Sequence, residues 1–115
     1  MNIVDPEIIS QSTDLPRVSY ELAVPEQLYY LQGHFPGKPI LPGVVQLQWA
    51  VELANAVFTT LSIFKGIEAL KFHRIIEPHT RLTLTLELKE VTGKLHFLFS
   101  SDDGVHSQGR LLFES

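Results

Sequence analysis

From Val44 to about Phe58 the chain reads as a helix that needs cover over most of its surface. Val44, Leu47, Val51, Ala54 and Phe58 fall at three- and four-residue steps, the spacing of one helical face. Several further positions in the segment are apolar too, so one packed stripe is not enough to keep it from water. The chain has 115 residues, which by size is one domain with one core, here residues 1–115. The cover must therefore come from the remaining segments of a short chain.

Those segments read as strands. Val18, Tyr20, Leu22 and Val24 alternate with Ser19, Glu21 and Ala23, and Pro25 closes the run. The clearest strand has Leu82, Leu84, Leu86 and Leu88 alternating with Thr83, Thr85, Glu87 and Lys89, the period of a half-buried strand. The turn "VTGK" leads to Leu95, Phe97 and Phe99. The turn "SDDG" then leads to a last strand over Val105–Phe113, with Leu111 and Phe113 inward. Glu7–Gln11 is a weaker strand, followed by the turn-prone "STDLP". Short strands joined by hairpin turns predict an antiparallel sheet, and with one long apolar helix the class is α+β: a curved sheet wrapped around a central helix. Its unpaired edges favour edge-to-edge dimers.

Composition removes several function classes. A formal charge of −4 argues against a nucleic-acid footprint, and the lack of cysteine rules out disulfides and thiolate chemistry. Val44 to Phe64 is long enough to raise a membrane span, but Gln46, Gln48, Glu52 and Asn55 would be costly in lipid. The start "MNIVDPEIIS" lacks the pattern of a signal peptide, so a cytoplasmic protein is expected. His73, His79, His96 and His106 have no metal-ligand spacing and read as scattered surface or strand residues. No serine sits in a GxSxG elbow.

The helix is approached through "GHFPGKPILPGV", where His34 precedes Pro36, Pro39 and Pro42. Each proline fixes its own φ and restricts the residue before it, so the approach is rigid. This segment resembles the signature of the β-hydroxyacyl-acyl-carrier-protein dehydratases of the hot-dog fold. "LKFHRIIEPHTRLTLTLELKE" is similar to the family's strand–proline–strand segment, so the resemblance runs over roughly residues 5 to 115. The helix sequence "VVQLQWAVELA" is most similar to the short dehydratase-like proteins associated with aryl polyene biosynthesis.

The resemblance implies dehydration of a 3-hydroxyacyl thioester on acyl carrier protein to the trans-2-enoyl thioester, with no cofactor and no metal. His34 takes the role of base, since imidazole titrates near working pH. The amides of Gly43 and Val44 at the helix start meet the charge that builds on the thioester oxygen, and Gly43 leaves room for the thioester to approach. Phe35, Pro42, Val44, Trp49 and Glu52 are the expected substrate contacts; Trp49 and its apolar neighbours also read as core. Gln48 stands where the family places a Glu or Asp that, contributed by the second subunit, helps protonate the departing hydroxyl. An amide has no titratable proton to give, so Gln48 is expected to orient the hydroxyl or water. The acid is then His34 itself, or Glu52 one turn on, or is missing because the chain completes another subunit's site. Implied partners are acyl carrier protein and a second subunit, the same chain or a related dehydratase. Lys38, Lys71 and Arg74 are candidates for a basic carrier-docking patch. Two other functions fit the same fold: a thioester hydrolase, and a weakened or non-catalytic partner of an active dehydratase.

Overall fold

The computed structural model describes residues 5–25 and 40–114 of the chain. They form β1 (Glu7–Asp14), β2 (Arg17–Ala23), α1 (Gly43–Val57), β3 (Phe64–Phe72), β4 (Arg81–Lys89), β5 (Lys94–Ser101) and β6 (Gly104–Phe113). The strands make one sheet in the order β1-β2-β4-β5-β6-β3, antiparallel at every junction. This is the α+β, hot-dog arrangement of a single antiparallel sheet and one long helix.

The alternation in the sequence sets the register. Val18 pairs with Leu86 and Leu86 with Phe97, while Tyr20 pairs with Leu84 and Leu84 with Phe99. Apolar side chains thus run in rows across the strands, where cross-strand neighbours stabilise one another. These rows meet Val45, Trp49, Ala50 and Ala54 of α1 in one buried core. Gly109 lies opposite Phe97, and a Cβ on it would stand 2.8 Å from Cε2 of the ring, so glycine is what lets that ring pack close against β6. Among the described residues no helix is long and apolar enough to cross a membrane.

Two expectations are corrected, and one strand escapes a sequence reading. β1 runs to Asp14, because Ser12, Thr13 and Asp14 pair with Ser19, Val18 and Arg17; the turn shrinks to Leu15–Pro16, whose peptide bond is cis. The sheet covers one face of α1, with Val45, Gln46, Trp49, Ala50 and Ala54 buried. Val44, the first residue of the expected apolar stripe, is 73% exposed, and Leu47 and Val51 are half-buried. A sheet touches a helix along one line, so among the described residues the opposite stripe is left uncovered. Finally, β3 has no two-residue alternation for a sequence reading to find. It is an edge strand with register shifts at Phe64/Gly66 and Glu68/Lys71, and Ala69 takes a positive φ of 54°.

Candidate active site

The last described part of the proline-rich approach is clamped from two sides. The Leu41 N–H donates to the Ile76 carbonyl at 2.7 Å. Gln46 Nε2 donates to the Leu41 carbonyl at 3.2 Å, and Gln46 Oε1 accepts from Ser107 Oγ at 2.7 Å. Gln46 is 3% exposed, so its amide spends both ends tying the helix start to the approach and to β6.

Pro42 is the N-cap of α1 and makes no side-chain capping bond. Its carbonyl accepts from the N–H groups of Val45 and Gln46, both at 3.1 Å. The amides of Gly43 and Val44 therefore fall before the first intrahelical bonds, and no acidic side chain occupies the first turn. The positive end of the helix is left to interact with negative charge from outside it. Beside it lies a cavity of about 370 Å³, lined by Ile40, Leu41, Gly43 and Gln46 on one side and by Phe72, His73, Arg74 and Ile75 on the other.

The absent side chain of Gly43 makes room for a ring from the sheet edge. A Cβ there would lie 2.7 Å from Cζ of Phe72, so the glycine accommodates this ring. Phe72 and Gln46 were not recognised as site residues from sequence. The only signal was "LKFHR" within the family-like segment, because an edge strand carries no period that marks which side chain turns inward.

Gln48 Nε2 donates to Glu52 Oε1 at 2.5 Å. Glu52, the expected alternative acid one turn on, is thus a hydrogen-bond partner of Gln48 on the exposed side of the helix. Trp49 is fully buried and belongs to the core. His34, Phe35 and Lys38 lie outside the described residues.

Lys71 and Arg74 do not form one patch. Arg74 lines the cavity at the helix start, whereas Lys71 lines a second cavity of about 390 Å³ on the outer sheet face, with Arg17, Glu87, His96 and Arg110. The end of β3 at Phe72 lies between them. On that outer face Lys94 and Arg110 pair with Glu68 at 2.5 and 3.2 Å, and Lys89 pairs with Glu87 at 2.8 Å. The hydrogen bond from Lys94 holds the Glu68 carboxyl below its ordinary value, and that from Lys89 does the same for Glu87.

His106 is not a surface residue but 2% exposed. Its Nδ1–H donates to the Ile75 carbonyl at 3.0 Å, which leaves Nε2 to accept from Ser101 Oγ at 2.6 Å. Its own carbonyl accepts from the N–H groups of His73 and Arg74. It fixes the segment that forms the cavity's far wall. Among the described residues no three histidine, aspartate or glutamate side chains group as metal ligands.

The family described as ApeI-like, ApeI dehydratase, matches residues 10–110. The chain is similar to the 3-hydroxyacyl-[acyl-carrier-protein] dehydratase FabZ of Natranaerobius thermophilus, 32% identical over 73 residues, covering 57% of this chain and 51% of that protein. FabZ of Acetivibrio thermocellus is 33% identical over 94 residues, covering 73% of this chain and 64% of that protein. The chain thus spans about half to two thirds of the length of these relatives. In structure it is similar to a chain of the dehydratase heterocomplex ApeI:P from Xenorhabdus doucetiae, with a TM-score of 0.84 at 28% identity, covering 94% of this chain and 96% of that one.

Proposed function

The chain belongs to the ApeI-like dehydratase family, and from that membership we propose that it removes water from a 3-hydroxyacyl thioester on acyl carrier protein, leaving the trans-2-enoyl thioester. The reaction would serve aryl-polyene-type or fatty-acid biosynthesis in the cytoplasm. One observation carries the reading: the uncapped start of α1 at Pro42–Gly43–Val44 opens on a cleft of about 370 Å³.

In this reading His34 takes the proton from the carbon next to the thioester carbonyl. The electron pair moves onto the carbonyl oxygen, which is met by the Gly43 and Val44 amides. A donor of this kind is worth about 2.7–4 kcal/mol in a catalytic site. As the pair returns to form the carbon–carbon double bond, the bond to the 3-hydroxyl breaks. The departing oxygen takes the proton back from the His34 imidazolium and leaves as water. Phe35, Pro42 and Val44 contact the thioester end, Trp49 backs the site through its packing, and Gln48 orients the hydroxyl.

The protein works as a dimer. The exposed Val44 and the edge strand β3, with Phe64, Leu70 and Phe72 exposed, offer an apolar and hydrogen-bonding surface to a second subunit. A second reading rests on Gln48, an amide where the family has a carboxylate: the chain is one half of a mixed dimer with a related, carboxylate-bearing dehydratase. The carrier protein, acidic by this reading, docks near Arg74 at the cavity mouth and Lys38.

The test is mass spectrometry of carrier-bound 3-hydroxyacyl substrates of several chain lengths, one of them aryl, with wild type, His34→Ala and Gln48→Glu. Wild type is expected to lose water, with His34→Ala slower by about 10²-fold or more. A faster Gln48→Glu identifies the acid as limiting. Wild type that stays folded yet inert on every substrate overturns the lone-enzyme reading in favour of the mixed dimer, and release of free acid overturns dehydration in favour of hydrolysis.

A further inference from the structure

The sheet face opposite α1 carries a row of charge across five strands. Arg17 stands beside Glu87, Glu87 beside His96, His96 beside Arg110, and Arg110 beside Glu68. Lys89 and Lys94 add their ammonium groups to Glu87 and Glu68. With Lys71, five of the chain's nine lysines and arginines gather around these two carboxylates, although the formal charge of the whole chain is −4. This positive excess borders two adjoining cavities of about 390 and 610 Å³, which share Glu87, His96 and Arg110. The second adds one carboxylate, Glu90, and the apolar Leu88 and Val91.

Lys71 reaches this face through the bulge in β3. Glu68 pairs with Arg110 and Lys71 with Gln108, so Ala69 and Leu70 stand opposite Gly109 alone. Side chains alternate along a strand, and three regular steps from Glu68 would turn Lys71 to the helix side. The extra residue returns it to the outer face. Ala69 absorbs the distortion with a φ of 54°, in the left-handed region that a residue with a Cβ seldom enters. Among the described residues Lys71 has no ion-pair partner. Arg17 reaches Glu87 only at 3.8 Å, and Arg110 Nε, though 3.2 Å from Glu68 Oε1, is buried without a hydrogen bond.

We propose that this cleft binds a phosphate group carrying about two negative charges, free or as an ester, between Lys71 and the guanidinium of Arg110. The two are diagonal neighbours on β3 and β6, positions roughly 7–8 Å apart, and a phosphate between them accepts from the ammonium on one side and from the guanidinium fork on the other. His96 lines both cavities. Burial, then Lys89 and Arg110, hold its imidazole below the ordinary 6.5, and an anion beside it opposes those charges. The cavity at the start of α1 lies on the helix side of the sheet, so this site is independent of the reaction proposed above.

The test is an NMR titration of the full chain at pH 7 and constant ionic strength, with inorganic phosphate in one arm and phenyl phosphate in the other. Saturable shifts are expected at the His96 ring and at the Ala69 and Gly109 amides, with the ring moving towards its protonated form. Lys71→Ala and Arg110→Ala are each expected to weaken binding about tenfold or more, as for loss of a charged hydrogen bond. Lys65→Ala, on β3 but outside both cavities, is expected to leave it unchanged. Tighter binding of phenyl phosphate supports an ester whose body reaches Leu88 and Val91, and equal affinities support the free anion. Shifts that never saturate, or that saturate alike in Lys71→Ala and Arg110→Ala, overturn the inference. So does a change in the same resonances with protein concentration alone, which would show a second copy covering this face.

Discussion

The edge of the Phe72 ring rests on Gly43, so that a Cβ at Gly43 would stand 2.7 Å from Phe72 Cζ and 3.1 Å from Cε1. Gly43→Ala therefore displaces the ring. Phe72 is 52% exposed at the sheet edge and swings aside at low cost, and alanine in place of glycine in a helix recovers roughly 0.5–1 kcal/mol. Thermal unfolding of Gly43→Ala is expected to stay close to wild type. Activity is expected to fall about tenfold or more, because a displacement of about 1 Å at a reacting centre can cost 10²-fold. Phe72→Ala in the same chain removes the clash, and recovery of activity in the double variant checks that the ring is the cause.

Gln46 links three segments, through Leu41, the helix and Ser107. Gln46→Leu fills nearly the same volume but leaves the Leu41 carbonyl and the Ser107 hydroxyl buried without this partner, at about 1–3 kcal/mol for such a group. Adding Ser107→Ala removes one of the two orphans, so the double variant is expected to be more stable than Gln46→Leu alone. Urea unfolding of the three proteins measures this; a double variant less stable than both singles would show that the hydroxyl is satisfied elsewhere.

His96 lies in the outer-face cavity among Arg17, Glu87 and Arg110. Burial first, then the charges of Lys89, Arg110 and Lys94, hold its imidazole below its ordinary 6.5, against the pull of Glu87. The unfolded chain then takes up this proton before the folded one does. Stability from His96 is present above 6.5 and is lost as pH falls from there through the lower folded value. Glu68 and Glu87 are also held low, from 4.5, so their contribution is lost only in a more acidic window. The urea midpoint of wild type is expected to decline between about pH 7 and 5, and that of His96→Gln, which cannot charge, to decline less. Parallel curves would mean that His96 is equally easy to protonate in both states.

The sequence by itself determined the elements that depend on local periodicity. Leu82, Leu84 and Leu86 alternate with threonines and glutamate, so β4 could only be a half-buried strand, and Pro42 followed by an apolar run could only open a helix. The family-like "GHFPGKPILPGV" likewise carried the proposed reaction type without any structure. Tertiary structure decided what depends on neighbours distant in the chain. Phe72 meets Gly43 because β3 crosses to the far edge beside β6, a pairing that no local pattern encodes. His106 is buried because Ser101 and Ile75 close around it, although the sequence shows only a scattered surface or strand histidine. Periodicity tells which side of an element is apolar. It does not tell what will cover that side, and α1 was expected to be covered on most of its surface yet leaves Val44 exposed, because a sheet reaches one face of a helix.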